Sequence, residues 1–319
     1  MRVAAIDVGT NSVRLLVAEQ AGTRIEVVAQ DRIRTRLGSG LYEDGRITPA
    51  AAERTRQALE RMTCLAAELG CDRLRAVGTS ALREASNAGE LLEAARQRLS
   101  LDIEVISETE EAELAFRSAR HYFELGSRPV LVADIGGGSL ELVHARGSEV
   151  LRVDSLPLGA VRLTETFLES DPVTEGEWRS LVDHVDALLG PAVSRPHGNS
   201  VHPALLGSGG TYSALAFMAL AGSRPNSADQ TGEGEADRIS VLGQPLMTTW
   251  IESTANELRA LSEAERRDVP GLMAERADII LAGVAVALRI AQLCGSPQTL
   301  VNDRGIRYGM ALEMLEEPA

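Results

Sequence analysis

The chain contains no lysine: all 32 of its basic residues are arginine. That excludes a P-loop, whose lysine reaches the terminal phosphates, and any Schiff-base or other lysine-centred covalent chemistry. Aromatic residues make up 3% of the chain and the net charge is −14. Few rings are available to stack on bases and the balance is acidic, so nucleic acid is not an expected partner. Three cysteines (Cys64, Cys71 and Cys294) have no metal-ligand spacing, and five histidines form no HExxH or HxxxH pattern. The thiols read as free, which suits a reducing compartment. No apolar run is long enough to span a bilayer, and the N-terminus runs into strand-like sequence without a signal-peptide cleavage pattern. A cytoplasmic protein with no membrane partner is expected.

What the chain does carry is a repeated strand–turn–strand. Residues 129–145 read PVLVADIGGGSLELVHA: an apolar strand ending at Asp134, a turn of Gly136, Gly137, Gly138 and Ser139, then a second strand. Residues 3–19 read VAAIDVGTNSVRLLVAE, with Asp7 ending the first strand and Gly9, Thr10, Asn11 and Ser12 in the turn. The offset is 134 − 7 = 127 residues, and Gly9/Gly136, Ser12/Ser139 and Leu15/Leu142 repeat it. An ordinary hairpin also uses Gly, Asn and Ser. Two copies, each with an aspartate at the strand end, indicate two similar halves facing each other across a cleft. Glycines permit positive φ and close approach of a ligand, so successive N–H groups can hold a phosphate. The aspartates are placed to hold the metal ion that accompanies it. A third turn, GSGGT at 207–211, opens a helix and adds Gly209 and Gly210 to the candidate phosphate contacts.

Between the turns, each half reads as three strands followed by alternating helices and strands. In the first half, Arg32, Arg34 and Arg36 alternate along the third strand, either as a solvated face or as a phosphate-facing stripe. Thr48 and Pro49 start a helix that Gly70 stops, a strand is expected over 74–79, and Asn87 caps the next helix. A strand over 101–107 leads into SETEEAELAF, where Ser107 and Glu110 have capping-box spacing. In the second half, helices are expected over 174–189, 246–258, 263–267 and 274–293, loops over 194–201 and 223–237, and a last strand over 299–302. The expected class is α/β: two domains, each a mixed five-stranded sheet flanked by helices. The expected boundaries are 1–125, with the helix 306–319 packing back on it, and 126–305.

This order resembles the actin-like (ribonuclease H-like) superfamily. Within it the chain resembles the exopolyphosphatase/guanosine pentaphosphate phosphatase family. The stretches that carry the likeness are AIDVGTNSVRLLV, RLGSGL, GTSALREASN, ISETEEA, ADIGGGSLEL, SLPLGAVRLTE, GSGGT, RADIILAG and RGIRYG, running in family order from Ile6 to Gly309. The resemblance implies release of a terminal phosphoryl group from linear polyphosphate, or of the 5′ terminal phosphate from guanosine pentaphosphate. It implies Glu111, the second glutamate of the EEA motif, as the catalytic residue that orients or deprotonates the attacking water, and Arg83 as a catalytic arginine that neutralises phosphate charge by bidentate contact. Phosphate contacts fall on Gly9, Thr10, Asn11, Ser12, Gly136, Gly137, Gly138 and Ser139, and metal contacts on Asp7, Asp134 and Glu111. Mg2+ is the expected cofactor, with Mn2+ as the alternative hard cation, and a homodimer is implied. The chain departs from the family in having Glu108 after Ser107 where glycine is usual, an added negative charge expected to bear on substrate preference or metal demand, and with neighbouring carboxylates Glu110 competes with Glu111 as the base. With the sequence ending at Ala319, the resemblance leads us to expect a short form lacking the further helical domain of longer members and favouring shorter polymers. The rival readings are a sugar or acetate kinase, an ATP-driven scaffold, and a non-catalytic polyphosphate or alarmone sensor.

Overall fold

A computed structural model describes residues 1–22, 24–193, 202–223 and 240–316. The loops expected over 194–201 and most of 223–237 lie outside the described residues. The chain separates into two compact units, Met1–Tyr122 with Arg304–Ala319, and Phe123–Asp303. Each is described by itself.

The first unit opens with β1 (Arg2–Val8), β2 (Ser12–Ala21) and β3 (Arg24–Arg34). It continues with α1 (Leu41–Asp44), α2 (Pro49–Glu68), β4 (Arg73–Gly78), α3 (Ser80–Glu84), α4 (Ala88–Leu99), β5 (Ile103–Val105) and α5 (Glu108–Tyr122). Its sheet has the order β3-β2-β1-β4-β5, with β1 antiparallel to β2 and parallel to β4. Alternation along β1 divides its side chains between two cores. Ala4, Ile6 and Val8 join α2 and α4 on one face. Val3 and Ala5 join residues of α5 and of the C-terminal helix on the other.

The second unit begins with β6 (Pro129–Ile135), β7 (Leu140–Arg146) and β8 (Glu149–Leu156). Then come α6 (Ala160–Phe167), α7 (Glu175–Val193), β9 (Ala204–Gly209), α8 (Gly210–Ser223), β10 (Pro245–Met247), α9 (Thr248–Ala260), α10 (Glu263–Arg266), α11 (Ile280–Cys294) and β11 (Gln298–Asn302). The chain returns to the first unit with α12 (Ile306–Glu316). The second sheet runs β10-β11-β9-β6-β7-β8. The core order β8-β7-β6-β9-β11 copies that of the first sheet. The duplication extends to irregularities: the register shifts at Val17/Ala18 in β2 and at His144/Ala145 in β7, both again 127 residues apart.

The expected α/β class is met, with differences in detail. The second sheet has six strands rather than five, because Pro245–Met247 pairs antiparallel with β11 before α9 starts. Those residues therefore do not belong to the helix expected from 246. The long helix expected from 274 starts at Ile280, after a separate 3-10 turn at Ala274–Arg276. The segment after β4 forms a short helix, α3. Thr48 caps α2 as expected, its side chain accepting from the Ala51 amide. Asn87 precedes α4 but makes no capping bond. Its amide instead binds both the N–H and the C=O of Ile47, at 2.8 and 3.0 Å, which ties the loop before α2 to α4. Among the described residues no helix is long and apolar enough to cross a membrane.

The C-terminal helix α12 lies against α5 at close range. A Cβ on Gly309 would stand 2.1 Å from the Leu114 carbonyl oxygen and 3.0 Å from its Cα. That atom is backbone in the middle of a helix and cannot swing aside. Gly309→Ala is expected to destabilise the protein by about 1–3 kcal/mol, read as a lowered midpoint in urea unfolding with an unchanged slope.

Candidate active site

The glycine turns are built alike in both units. In the first, the Gly9 amide donates to the Ser12 carbonyl at 3.1 Å; in the second, Gly136 donates to Ser139 at 3.0 Å. A Cβ on either glycine would sit 3.2 Å from that carbonyl oxygen. This tight approach of backbone to backbone favours glycine here. Positive φ was expected of these glycines, but only Gly209 among the candidate phosphate contacts adopts it, with φ 92°. A Cβ on Gly209 would meet the Ile135 carbonyl oxygen at 2.3 Å and Asp134 Oδ1 at 2.8 Å, so the third turn is pressed against the end of β6.

A strap from the segment after the third strand holds each turn. In the first unit Thr35 and Arg36 donate to the Asn11 carbonyl at 3.1 and 2.9 Å, and Gly38 donates to Thr10 at 2.9 Å. In the second, the first turn of α6 does this work. Ala160 donates to Gly136 at 3.0 Å, Val161 and Arg162 to Gly137 at 2.8 and 3.2 Å, and the Arg162 side chain to Gly138 at 2.8 Å. The carbonyls of both turns are thereby taken up from within. Among the described residues no backbone carbonyl accepts from the amides of Thr10, Asn11, Gly137 or Gly138. Those N–H groups form the side of each turn that can meet an anion. The Asn11 side chain points the same way chemically: its amide is inaccessible to solvent and has no hydrogen-bond partner.

The two aspartates occupy equivalent places with different neighbours. Asp7 is the cross-strand partner of Arg14, which in turn faces Arg32, while Val77 and then Glu104 lie on the other side. Burial pushes the Asp7 carboxyl up, and Arg14 and Arg307 act against it. Arg307, at the start of α12, also donates to the Leu15 carbonyl at 3.0 Å. The same row in the second unit reads Ser155, Glu141, Asp134, Ser208 and Asn302. Glu141, Ser208 and Asn302 are buried, and Ser155 donates to Glu141 at 3.3 Å. The first and second arginines of the β3 stripe, Arg32 and Arg34, are half-buried beside Arg14 and Ser12 rather than solvated, and the third, Arg36, lies beyond the strand end with φ 50°.

Mg2+ asks for one or two carboxylates and completes its shell with water and substrate oxygens. Among the described residues no three His, Cys, Asp or Glu side chains converge on one point, so the protein alone offers no closed cage. Asp134 with Glu141 across from it is a donor pair of the required kind. Asp7, faced by arginine, fits a metal less well.

Glu111 and Arg83 come together directly. Glu111 sits in the first turn of α5, 9% exposed, and Arg83 in the last turn of α3. Arg83 Nη1 donates to Glu111 Oε2 at 2.7 Å and to the Ile106 carbonyl at 3.0 Å. The neighbouring carboxylates go elsewhere. Glu108 is exposed at the helix start. Glu110 Oε1 accepts from Arg75 Nη2 at 2.8 Å. Of the expected capping box only one arm forms, the Glu110 amide donating to Ser107 Oγ at 3.2 Å.

Sequence reasoning passed over three residues beside these turns, Arg14 in the first unit and Glu141 and Arg276 in the second. Arg14 and Glu141 share the 127-residue offset and the strand parity of Ser12 and Ser139, which is the signal that places them beside the aspartates. Arg276 is 5% exposed, and its guanidinium lies so close to Gly210 that a Cβ there would be 1.9 Å from Nη2. Contact between residues 66 positions apart leaves no local pattern to find.

The chain matches the Ppx/GppA phosphatase family over residues 16–317. It is 28% identical to exopolyphosphatase 1 of Mycobacterium leprae over 320 aligned positions, covering all of this chain and 91% of that one. Among solved structures it resembles the Ppx/GppA family member of Aquifex aeolicus, with TM-score 0.79, 30% identity, and 99% and 97% of the two chains covered. It also resembles an exopolyphosphatase from Cytophaga hutchinsonii, with TM-score 0.86, 25% identity, and 99% and 98% covered. With two glycine turns, a paired Glu111 and Arg83, and a family match spanning nearly its whole length, this chain belongs to the Ppx/GppA phosphatase family.

Proposed function

We propose that the protein is an exopolyphosphatase that releases terminal orthophosphate from linear inorganic polyphosphate by attack of water. The observation that carries this reading is the Glu111–Arg83 pair at 2.7 Å in the first turn of α5. It supplies one oriented carboxylate where Glu110 and Glu111 compete. The curated relative and a similar solved structure both bear the name exopolyphosphatase.

Phosphoryl transfer to water depends on position and charge more than on covalent help. The outward amides of Thr10 and Asn11, and of Gly137 and Gly138, would hold phosphate oxygens without a proton being moved. Glu111 would accept a proton from the attacking water as its oxygen bonds to the terminal phosphorus. The bridging P–O bond breaks and the oxygen leaves with the shortened chain. Arg83 fixes the Glu111 carboxylate and brings positive charge next to it. Mg2+ is the metal proposed, held by Asp134 with Glu141 beside it, and it would neutralise charge on the phosphates. The proposed setting is a cytoplasmic homodimer, which sedimentation of the purified protein checks.

Phosphate release with Mg2+ from short polyphosphate, long polyphosphate, guanosine pentaphosphate and ATP tests the reading. Release from polyphosphate well above ATP is expected. Release from guanosine pentaphosphate alone would assign the protein to that nucleotide, and binding without release would make it a sensor. Glu111→Gln should lower kcat by about 100-fold or more and leave the Kd for polyphosphate within a few fold. A large loss of binding would recast Glu111 as a structural or metal-holding residue.

The strap gives a separate expectation. A Cβ on Gly159 would stand 2.3 Å from the backbone of Gly137 and Gly138. Gly159→Ala should therefore push α6 off the turn and raise KM for polyphosphate at least tenfold. Near-wild-type KM in a folded variant would show that the strap does not set the turn.

A further inference from the structure

Arg75 gathers three carboxylates from three elements. From β4 it reaches Glu104 of β5 at 2.9 Å, Glu110 of α5 at 2.8 Å and Glu313 of α12 at 2.7 Å. Arg117 of α5 extends the network to Glu313 at 3.4 Å and Glu316 at 2.7 Å. A planar guanidinium with five donors can serve several carboxylates at once, which an ammonium cannot do with the same geometry.

The network includes the residue next to Glu111. A serine followed three positions later by a glutamate ordinarily closes a capping box, the carboxylate returning to the serine amide. In this protein the serine arm is present and the carboxylate arm is missing, because Glu110 is drawn to Arg75 instead. Successive helical residues point about 100° apart, so Glu110 and Glu111 leave the first turn of α5 in different directions. Each is met by its own arginine: Arg75 takes Glu110 and Arg83 takes Glu111. Without Arg75 the Glu110 carboxylate would be a mobile second negative charge at the first turn of α5. It would repel a polyanionic substrate and compete for the water.

We infer that Arg75 is a positioning residue for the hydrolytic reaction: it holds Glu110 out of the site and fixes the first turn of α5 between β5 and α12, so that Glu111 alone faces the water. This inference rests on the proposed phosphohydrolase reading.

The test uses the full-length protein and its Arg75→Gln, Glu110→Gln, Arg75→Gln/Glu110→Gln and Arg75→Lys variants, with phosphate release from polyphosphate and Mg2+. Arg75→Gln is expected to lower kcat about tenfold and raise KM. Glu110→Gln is expected to stay within twofold of wild type. The double variant is expected to recover to within threefold, because the charge that Arg75 restrains is gone. Arg75→Lys should be intermediate. A double variant as slow as Arg75→Gln overturns the inference and leaves Arg75 a merely structural residue. So does a Glu110→Gln variant as impaired as Glu111→Gln, which would make Glu110 the base. Amide exchange over residues 107–114 is read in the same proteins and needs no turnover. It should quicken in Arg75→Gln, and unchanged exchange overturns the inference. A wild-type protein that releases no phosphate, with exchange responding as expected, counts against the hydrolase reading instead.

Discussion

The structure depends on one constraint, met twice: a four-residue turn whose ends are closed by a single backbone hydrogen bond and whose carbonyls are held from within. Gly9 to Ser12 and Gly136 to Ser139 close at 3.1 and 3.0 Å. That bond leaves only a tight 3.2 Å gap for a Cβ at the first position of either turn. Once the carbonyls of Thr10, Asn11, Gly136, Gly137 and Gly138 are engaged by the straps, the peptide planes are fixed. Their N–H groups then form a preorganised cradle rather than a floppy loop. The sheet order, the strap and the close approach of Gly209 to Asp134 all serve to keep that backbone in place.

The repeated frame carries different chemistry in its two copies. At the level of the central aspartate, one sheet reads Arg32, Arg14, Asp7, Val77 and Glu104. The other reads Ser155, Glu141, Asp134, Ser208 and Asn302. The first row is basic around its aspartate and suits anions. The second is acidic and neutral, and suits a hard cation. The backbone explains why both turns exist. The side chains on either side of Asp7 and Asp134 explain why they are not interchangeable.

Much of this was legible because it is local. The 127-residue offset, the aspartates and the turns are read directly from the chain, as are the Thr48 cap and the strand alternation that separates core faces. The sixth strand was not legible, since Pro245–Met247 is three residues long and becomes a strand only by lying beside β11. The shortened α11 was hidden because the residues before it, AERADI at 274–279, include Ala, Glu and Arg, which favour a helix, and no Gly or Pro to mark the break. Glu110 shows how a correct local pattern fails: its spacing from Ser107 predicts a capping box, but a distant arginine offers the carboxylate a charged partner that outweighs a peptide N–H. Arg75, Glu104 and Glu313 are far apart in sequence, so no window contains that competition.

The absence of lysine acquires a meaning at this point. A carboxylate that is to accept a proton must stay ionised and in place while polyanionic substrate comes and goes. A lysine partner is a compact charge that shifts its proton readily when it is desolvated, and it holds no fixed plane. An arginine keeps its charge under the same conditions and presents a rigid fork. Arg83 uses one nitrogen to bridge Glu111 and the Ile106 carbonyl, so the carboxylate is referenced to the backbone at the end of β5 rather than to another side chain. Arg75 holds the neighbouring Glu110 through side chains instead, joining carboxylates of β5, the start of α5 and the C-terminal helix. Two permanent charges thus hold two adjacent glutamates apart, and on the proposed reading one of them works and the other is kept from working. That sorting is carried by tertiary ion pairs, and the helix alone could not impose it.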